Sequence, residues 1–312
     1  MKAIRIHNYG PSAELIYEDV DIPVINENQV LVKVYAASVN HLEIKAASGV
    51  MKNYMPLKFP WIPGYDFAGV IKSVGSGIKD LQVGNEVYGN CNGGSYAEYL
   101  AADYSKLVKK PENISFAAAA SVPHVAETAW QAIHTHGNLK KHQKVLIHGA
   151  AGGVGTYAVQ FAHMAEAIVY ATDSSVNEEF IKSLGADHFI DYTNTDFTTI
   201  AKNVDLVIDL VGGETQKKSY SVLKKGGKLI TTVGGTSESE AKKYDIITDN
   251  MVIIQSARDL EEISTMIKAG EIFTDMAITI PLSKAAEAWE ILTKKTLNIP
   301  HGKIVLEIVE PD

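Results

Sequence analysis

One cysteine, Cys91, stands in 312 residues. A single thiol cannot close an internal disulfide, and it excludes Cys-rich structural zinc sites, which need about three or four thiolates in paired spacing. Cys91 is therefore read as structural or incidental. No stretch approaches the roughly 18 consecutive apolar residues of a membrane span. The first residues, MKAIRIH, lack the charged-then-apolar layout of a secretory signal, and a cytoplasmic protein is the default expectation. Basic side chains are in deficit: 29 Lys and Arg against 37 Asp and Glu give a net charge of -8. Without a basic run or stripe to neutralise a phosphate backbone, nucleic acid is not an expected partner. Repeats and low-complexity tracts are also missing, apart from the alanine run at 117–120.

What is present suits an ordinary globular chain, 46% hydrophobic and 21% charged, long enough for one or two cores. The first part has a β texture: residues 30–35 alternate apolar and polar, and 69–74 and 86–88 are short strand-like pieces between Gly, Pro and Asn turns. A small β-barrel-like domain over residues 1–123 follows. From Pro123 the texture changes. Residues 124–136 read as a helix, then apolar runs at 145–148, 168–172, 188–190, 206–210, 228–233 and 251–254 alternate with helical stretches. That alternation predicts βαβ units on a doubly wound parallel sheet over 124–270. After Gly270 come a linker, a helix at 283–292 and a strand at 303–309, a tail expected to return to and complete the first domain.

Residues 144–155, KVLIHGAAGGVG, run from a strand through a glycine-rich turn into a helix beginning near Gly153. Ala150, Gly152 and Gly155 hold the spacing of G-x-G-x-x-G with Ala for the first glycine, and Gly149 and Gly153 add freedom to the turn. Such a turn lets backbone approach a pyrophosphate, and the helix N-terminus adds unsatisfied N–H groups and positive dipole. Ala151, Gly152, Gly153 and Val154 are the phosphate-binding candidates. The plainer alternative is an ordinary tight turn; the surrounding βαβ pattern favours the dinucleotide. Val154, Ala158, Phe161, Ala162 and Ala165 supply a stripe for packing on the sheet.

The end of the second strand bears on the choice between NAD and NADP, because an acid there bonds the ribose 2′-OH and repels a 2′-phosphate. Asp173 lies about twenty residues past the turn, as NAD requires. It sits in TDSSVN, where Ser174, Ser175 and Asn177 can hold a phosphate or cap the next helix, and no Arg or Lys stands beside them.

HGAAGGVG, TDSSVN, LGAD at 184–187 and IDY at 190–192 together resemble the zeta-crystallin-like quinone oxidoreductases, a zinc-independent family of the medium-chain dehydrogenase/reductase superfamily. The likeness spans nearly the whole chain: SVNHLEIKAASG at 38–49 is similar to the family's VNPxDxKxxxG segment, and FPWIPGYDFAGVI at 59–71 to its P-G-x-D-x-A-G segment. YGNCNGGSYAEYL, ETAWQAI and the terminal HGKIVLEI add to it. The resemblance implies a GroES-like β-barrel catalytic domain joined to a Rossmann domain, a site between them, and a homodimer. It matches Asn40 to the family's active-site asparagine, Lys45 to its lysine, Thr128 to a threonine near the nicotinamide, and Tyr192 to a tyrosine beside the adenosine phosphate. Val211, Val233, Gly234 and Lys303 follow as contacts at strand ends and in the terminal GK motif, with a plain turn or strand-end role open for each. The TASxxN form of the segment points to NADPH, while Asp173 keeps NADH open.

Zinc-dependent relatives carry a cysteine at the position of Asn40 and a histidine just after the glycine matching Gly64; this chain has Asn40 and Tyr65. His134 and His136, two apart on a helix, diverge by roughly 200° and do not replace the ligand set. No zinc is expected. Without that Lewis acid, alcohol oxidation is poorly supported, whereas hydride addition to a quinone or a carbonyl-conjugated C=C needs cofactor and hydrogen-bond donors for the developing oxyanion. The candidate donors are Asn40, Lys45 and Tyr54. His41 stands for the family's proline and Glu43 for its aspartate, so the loop shape is open. The expected function is NADPH-dependent reduction of a quinone or enone. The alternatives are a zinc-free alcohol or aldehyde reductase and a non-enzymatic, crystallin-like nucleotide-binding protein.

Overall fold

Fifteen strands form among the described residues, which in the computed structural model are 1–10, 15–294 and 301–309. In chain order they are β1 (Lys2–Arg5), β2 (Ile16–Asp19), β3 (Gln29–Ser38), β4 (Asp66–Val74), β5 (Glu86–Asn90), β6 (Tyr99–Asp103) and β7 (Leu107–Lys109). There follow β8 (Lys144–His148), β9 (Ile168–Asp173), β10 (His188–Asp191), β11 (Val204–Asp209), β12 (Leu223–Thr231), β13 (Ile247–Asn250), β14 (Met276–Pro281) and β15 (Lys303–Glu307). The chain divides into two compact units, Met1–His124 with Gln255–Ile299 and Lys303–Asp312, and Val125–Ile254 with Pro300–Gly302.

The first unit is built on a seven-stranded sheet in the order β14-β15-β3-β4-β5-β7, with β6 also paired to β3. Along β3 the alternation read from sequence holds: Val30, Val32 and Val34 are fully buried and pack with Phe67, Ile71, Val87 and Leu100. Each such burial contributes about 1.5–3 kcal/mol. A second cluster gathers Ile4, Ile6, Tyr96, Trp289 and Leu306. β15 pairs antiparallel with β3, Val305 opposite Ser38, so the last strand belongs to this unit. The second boundary falls after Ile254 rather than at Gly270. The helix Ala257–Ala269 goes with the first unit, where Tyr88 Oη and Ser264 Oγ lie 2.6 Å apart and Asn113 Nδ2 donates to Ile267 O at 2.9 Å.

The second unit is a six-stranded, all-parallel sheet in the order β10-β9-β8-β11-β12-β13. Strands covered on both faces read as unbroken apolar runs, as Val145, Leu146 and Ile147 do. The chain runs outward from β8 to β10 on one side and from β11 to β13 on the other, so the order reverses between β8 and β11. Two elements depart from the sequence reading. The helix expected over 124–136 is α-helical only through Pro123–Trp130 and continues as a π-helical segment, Gln131–His136. The last strand is Ile247–Asn250 instead of 251–254, because the Gln131 amide takes both backbone groups of Ile254, donating to its carbonyl at 2.7 Å and accepting from its N–H at 3.1 Å. The helix Gly153–Met164 is buried from Gly155 to Ala162 all round rather than along one stripe.

Candidate functional site

In the second unit the parallel strands deliver their following residues to one edge of the sheet. Gly149 takes φ +71, open to glycine at little cost, and its N–H and that of Ala150 both donate to Thr172 O at 3.2 Å. The turn then enters the helix Gly153–Met164 with Gly152 as N-cap and no side chain capping it. Its first-turn N–H groups thus have no side-chain acceptor, the arrangement that accepts a phosphate. Gly155 has no room for more: a Cβ there would lie 2.2 Å from Gly149 O and 2.7 Å from Ala150 Cα. At Gly152 the nearest atom to an added Cβ is Gly149 O at 3.3 Å. Ala150 is buried and Ala151 nearly so, which leaves Gly152, Gly153 and Val154 as the accessible part of the turn.

Asp173 ends β9 beside this turn. Its Oδ2 accepts from Ala151 N at 3.0 Å, and its Oδ1 from Ser174 N at 2.9 Å and Asn177 Nδ2 at 2.8 Å. The Ser174 hydroxyl also reaches Oδ1 at 3.5 Å, so four donors fix the carboxylate, one of them on the glycine-rich turn. Tyr192, after β10, donates its N–H to Asp173 O and leaves its ring exposed. Val211 and Val233, after β11 and β12, are also exposed. Val211 Cγ2 comes within 3.4 Å of a Cβ built on Gly149, and Val233 Cγ2 within 3.0 Å of one built on Gly212. Gly234 takes φ +76 and its carbonyl accepts from Gln216 Nε2. These ends are held by Asp209, fully buried, whose carboxylate accepts from Val211 N, Gly212 N, Gln216 Nε2 and Thr231 Oγ1. Thr128 is buried in the helix Pro123–Trp130. The turn, Asp173, Ser174, Tyr192, Val211, Val233 and Gly234 thus share one sheet edge, where open parallel sheets bind dinucleotides at the reversal of strand order.

One expected cofactor contact, Lys303, belongs to the first unit. Lys303, at the start of β15 in the first unit, is only 7% exposed and donates to Val39 O at 2.8 Å and to Asn40 Oδ1 at 2.5 Å. Asn40 leaves the end of β3 as the N-cap of the helix His41–Ala47. Its Nδ2 donates to Asp66 Oδ2 at 2.9 Å; the same oxygen accepts from Ser38 Oγ at 2.6 Å, and Asp66 Oδ1 accepts from His124 N at 2.9 Å. Glu43 reaches back so that its Oε1 accepts from Asn40 N at 2.6 Å and from Tyr96 Oη at 3.0 Å. Its Oε2 has no partner among the described residues. Burial pushes the Glu43 carboxyl up to about 8 against the pull of the Asn40 N–H and the Lys303 charge. Burial likewise lowers Lys303, with Asp66 and Glu43 opposing. Of the other expected donors, Lys45 is exposed in the last turn of its helix and Tyr54 is 91% exposed on the following loop. Neither joins Asn40. Asp66, Tyr96 and Glu43 were not singled out as site residues; the only sequence signal for Asp66 is its place in PGYDFAG.

Residues 26–112 match the family model described as alcohol dehydrogenase GroES-like domain, and 184–306 the one described as zinc-binding dehydrogenase. A chloroplast envelope quinone oxidoreductase homolog of Arabidopsis thaliana is 33% identical over 98% of both chains. An NADPH-dependent alkenal/one oxidoreductase, chloroplastic, of the same plant is 34% identical over 98% of this chain and 79% of the relative. The solved quinone oxidoreductase from Coxiella burnetii superposes with a TM-score of 0.89 at 31% identity, covering 99% of each chain. The fold is a GroES-like domain with a Rossmann-like parallel-sheet domain, the architecture of nicotinamide oxidoreductases. The chain belongs to the quinone oxidoreductase family of the medium-chain dehydrogenase/reductase superfamily. The cytoplasmic default is corrected, because relatives matching over nearly their whole length are named as chloroplast-envelope or chloroplastic proteins.

The zinc in the name of one family model does not suit these donors. Asn40 has both amide atoms engaged, and an ammonium stands 2.5 Å from its oxygen. Burial pushes the Tyr65 hydroxyl well above its usual range and the Cys91 thiol up to about 12, opposing the anions a metal would need. No group of three His, Cys, Asp or Glu positioned for a metal occurs among the described residues.

Two measurements check this site. Gly155→Ala should destabilise the protein by about 1–3 kcal/mol through the backbone clash, whereas Gly152→Val should cost only about 1 kcal/mol at this N-cap and abolish NADPH binding. Retained affinity in Gly152→Val would place the pyrophosphate elsewhere. Glu43 carries a folded pKa above its unfolded 4.5, so its contribution is intact below about 4.5 and is lost as pH rises through about 8. Glu43→Gln, which keeps an acceptor for Asn40 N and Tyr96 Oη, should raise Tm relative to wild type by about 2–4 °C or more at pH 8 and by less at pH 5. An equal shift at both pH values would show that Glu43 is ionised in the folded protein.

Proposed function

We propose that the chain is an NADPH-dependent, zinc-independent reductase of quinones or α,β-unsaturated carbonyl compounds. The observation that carries this reading is the uncapped glycine-rich turn at the reversal point of the parallel sheet, in a chain whose asparagine cluster offers an amide N–H but no metal ligand set. The relatives named above support the substrate class and the choice of NADPH. The Gly152–Val154 backbone binds the pyrophosphate, and Val211, Val233 and Tyr192 give apolar cover to the dinucleotide. When bound, the reduced nicotinamide supplies a hydride. Asn40 Nδ2 would donate to the substrate carbonyl oxygen as negative charge develops on it. Such donors account for about 3–4 kcal/mol of barrier lowering where they have been removed. Solvent returns the proton to the neighbouring carbon. Lys45 and Tyr54, both exposed, are assigned to the entrance or the surface instead.

Cofactor choice turns on Asp173. Its carboxylate keeps unfilled acceptor positions beside the turn and disfavours a 2′-phosphate, so NADH is accepted as well as NADPH. The protein is further assigned as a homodimer: β13 is an edge strand of its sheet, and the residues after it expose Val252 (78%) and Ile254 (74%), an apolar pair suited to a second copy of the chain.

The deciding assay follows NADPH oxidation by the metal-free protein with 1,4-naphthoquinone and with 3-nonen-2-one. Turnover is expected with at least one, falling on the order of a hundredfold in kcat for Asn40→Ala; no turnover with either removes the reading. Asp173→Ala should raise the NADPH-to-NADH ratio of kcat/KM, and an unchanged ratio would mean that the carboxylate serves only the turn. Light scattering should give the mass of two chains, and Ile254→Lys should give one; a single-chain mass for the wild type removes the dimer.

A further inference from the structure

A primary amide has two ends of nearly equal size, and which end faces a substrate depends on the partners that hold it. Asn40 is held from both ends by groups that leave no choice. The Lys303 ammonium can only donate, so the atom 2.5 Å from it is the oxygen. The Asp66 carboxylate accepts, so the atom 2.9 Å from it is the nitrogen. Both partners sit on strands of one sheet: Lys303 opens β15, Asp66 opens β4, and β3, which ends just before Asn40, pairs with each. Lys303 is fixed again by Val39 O, and Asp66 by Ser38 Oγ and His124 N. The amide is therefore oriented by rigid elements, with one Nδ2 hydrogen given to Asp66 and no acceptor for the other among the described residues. An ammonium against the amide oxygen also draws electron density from the nitrogen and strengthens that remaining N–H as a donor.

We infer that Lys303 is a positioning residue for Asn40, holding the amide oxygen inward so that the remaining N–H is presented to the substrate oxygen, and that it does not contact the cofactor. This rests on the reductase reading above. Lys303 works only through Asn40, so its loss has nothing further to remove once the amide is gone.

That dependence is measured by a double-mutant cycle on the full-length protein with NADPH and whichever of the two substrates the wild type turns over. Lys303→Met should lower kcat on the order of tenfold to a hundredfold, the scale of a misplaced catalytic group, while KM for NADPH stays within about twofold. The double variant Asn40→Ala/Lys303→Met should be no slower than Asn40→Ala alone, and Lys303→Arg should recover part of the loss. Multiplied losses in the double variant, or a Lys303→Met effect in KM for NADPH, overturn the inference; the second result would return Lys303 to the cofactor. If Lys303→Met does not fold, the same cycle run with Lys303→Arg carries the comparison. A wild type inactive on both substrates removes the functional reading and the inference together, whereas an active wild type with multiplied losses removes the inference alone.

Discussion

A carboxylate with no exposed surface is tolerated only where donors surround it, and Asp66 sets that constraint on the first unit. Its three partners are Ser38 at the end of β3, Asn40 two residues further on and the backbone of His124, so satisfying one carboxyl ties two distant pieces of chain to the start of β4. Lys303 lies close enough to favour the charge, and Asn40 bridges the two. Glu43, one helical turn further on, is kept neutral at moderate pH by its burial and gives up its ionised form to stay inside. The cluster thus sets Asp66 and Lys303 on the two ends of the Asn40 amide, with the Glu43 carboxyl kept neutral beside them.

The second unit depends on a different constraint, the close approach of helix and turn at Gly155. With backbone 2.2 Å from where a Cβ would stand, the helix axis is drawn onto the strand end, and its N-terminus opens at the sheet edge. Buried polar groups hold the neighbouring ends. Asp209 collects four donors, and His148 bridges Thr172 and Ser219 at 2.8 and 2.9 Å. Ser219 Oγ gives its hydrogen to Thr215 O, so His148 Nε2 donates to Ser219 and its Nδ1 accepts from Thr172. Burial takes that imidazole down to about 4, which keeps it neutral and suited to bridging.

Much of this was legible in the sequence wherever the cause was local. KVLIHGAAGGVG carries strand, turn and helix within twelve residues, and the apolar runs give all but one strand of the parallel sheet close to its place. What was not legible depends on chain far away. Asn40 was identifiable as a candidate, but Asp66 lies 26 residues from it and Lys303 lies 263, and only the pairing of β3 with β4 and with β15 brings them together. From its GK motif alone Lys303 reads equally as a cofactor contact or as a plain strand-end residue. The run at 251–254 is as apolar as a strand; a side-chain amide from Gln131 occupies its last residue, and apolar periodicity carries no sign of that. The π-helical segment after Trp130 is hidden for the same reason, since its i→i+5 spacing leaves the apolar residues buried.

The proposed reaction is direct hydride transfer to a conjugated carbonyl compound from a nicotinamide cofactor whose pyrophosphate lies at the Gly152 turn. Incubating the protein with NADPH carrying deuterium on both C4 positions and 3-nonen-2-one, then locating the label in the product by NMR, tests it most directly. The account predicts one deuterium at the β-carbon and a solvent proton at the α-carbon. A reduced product with no deuterium at the β-carbon, or no reduced product from this enone or from 1,4-naphthoquinone, would contradict it.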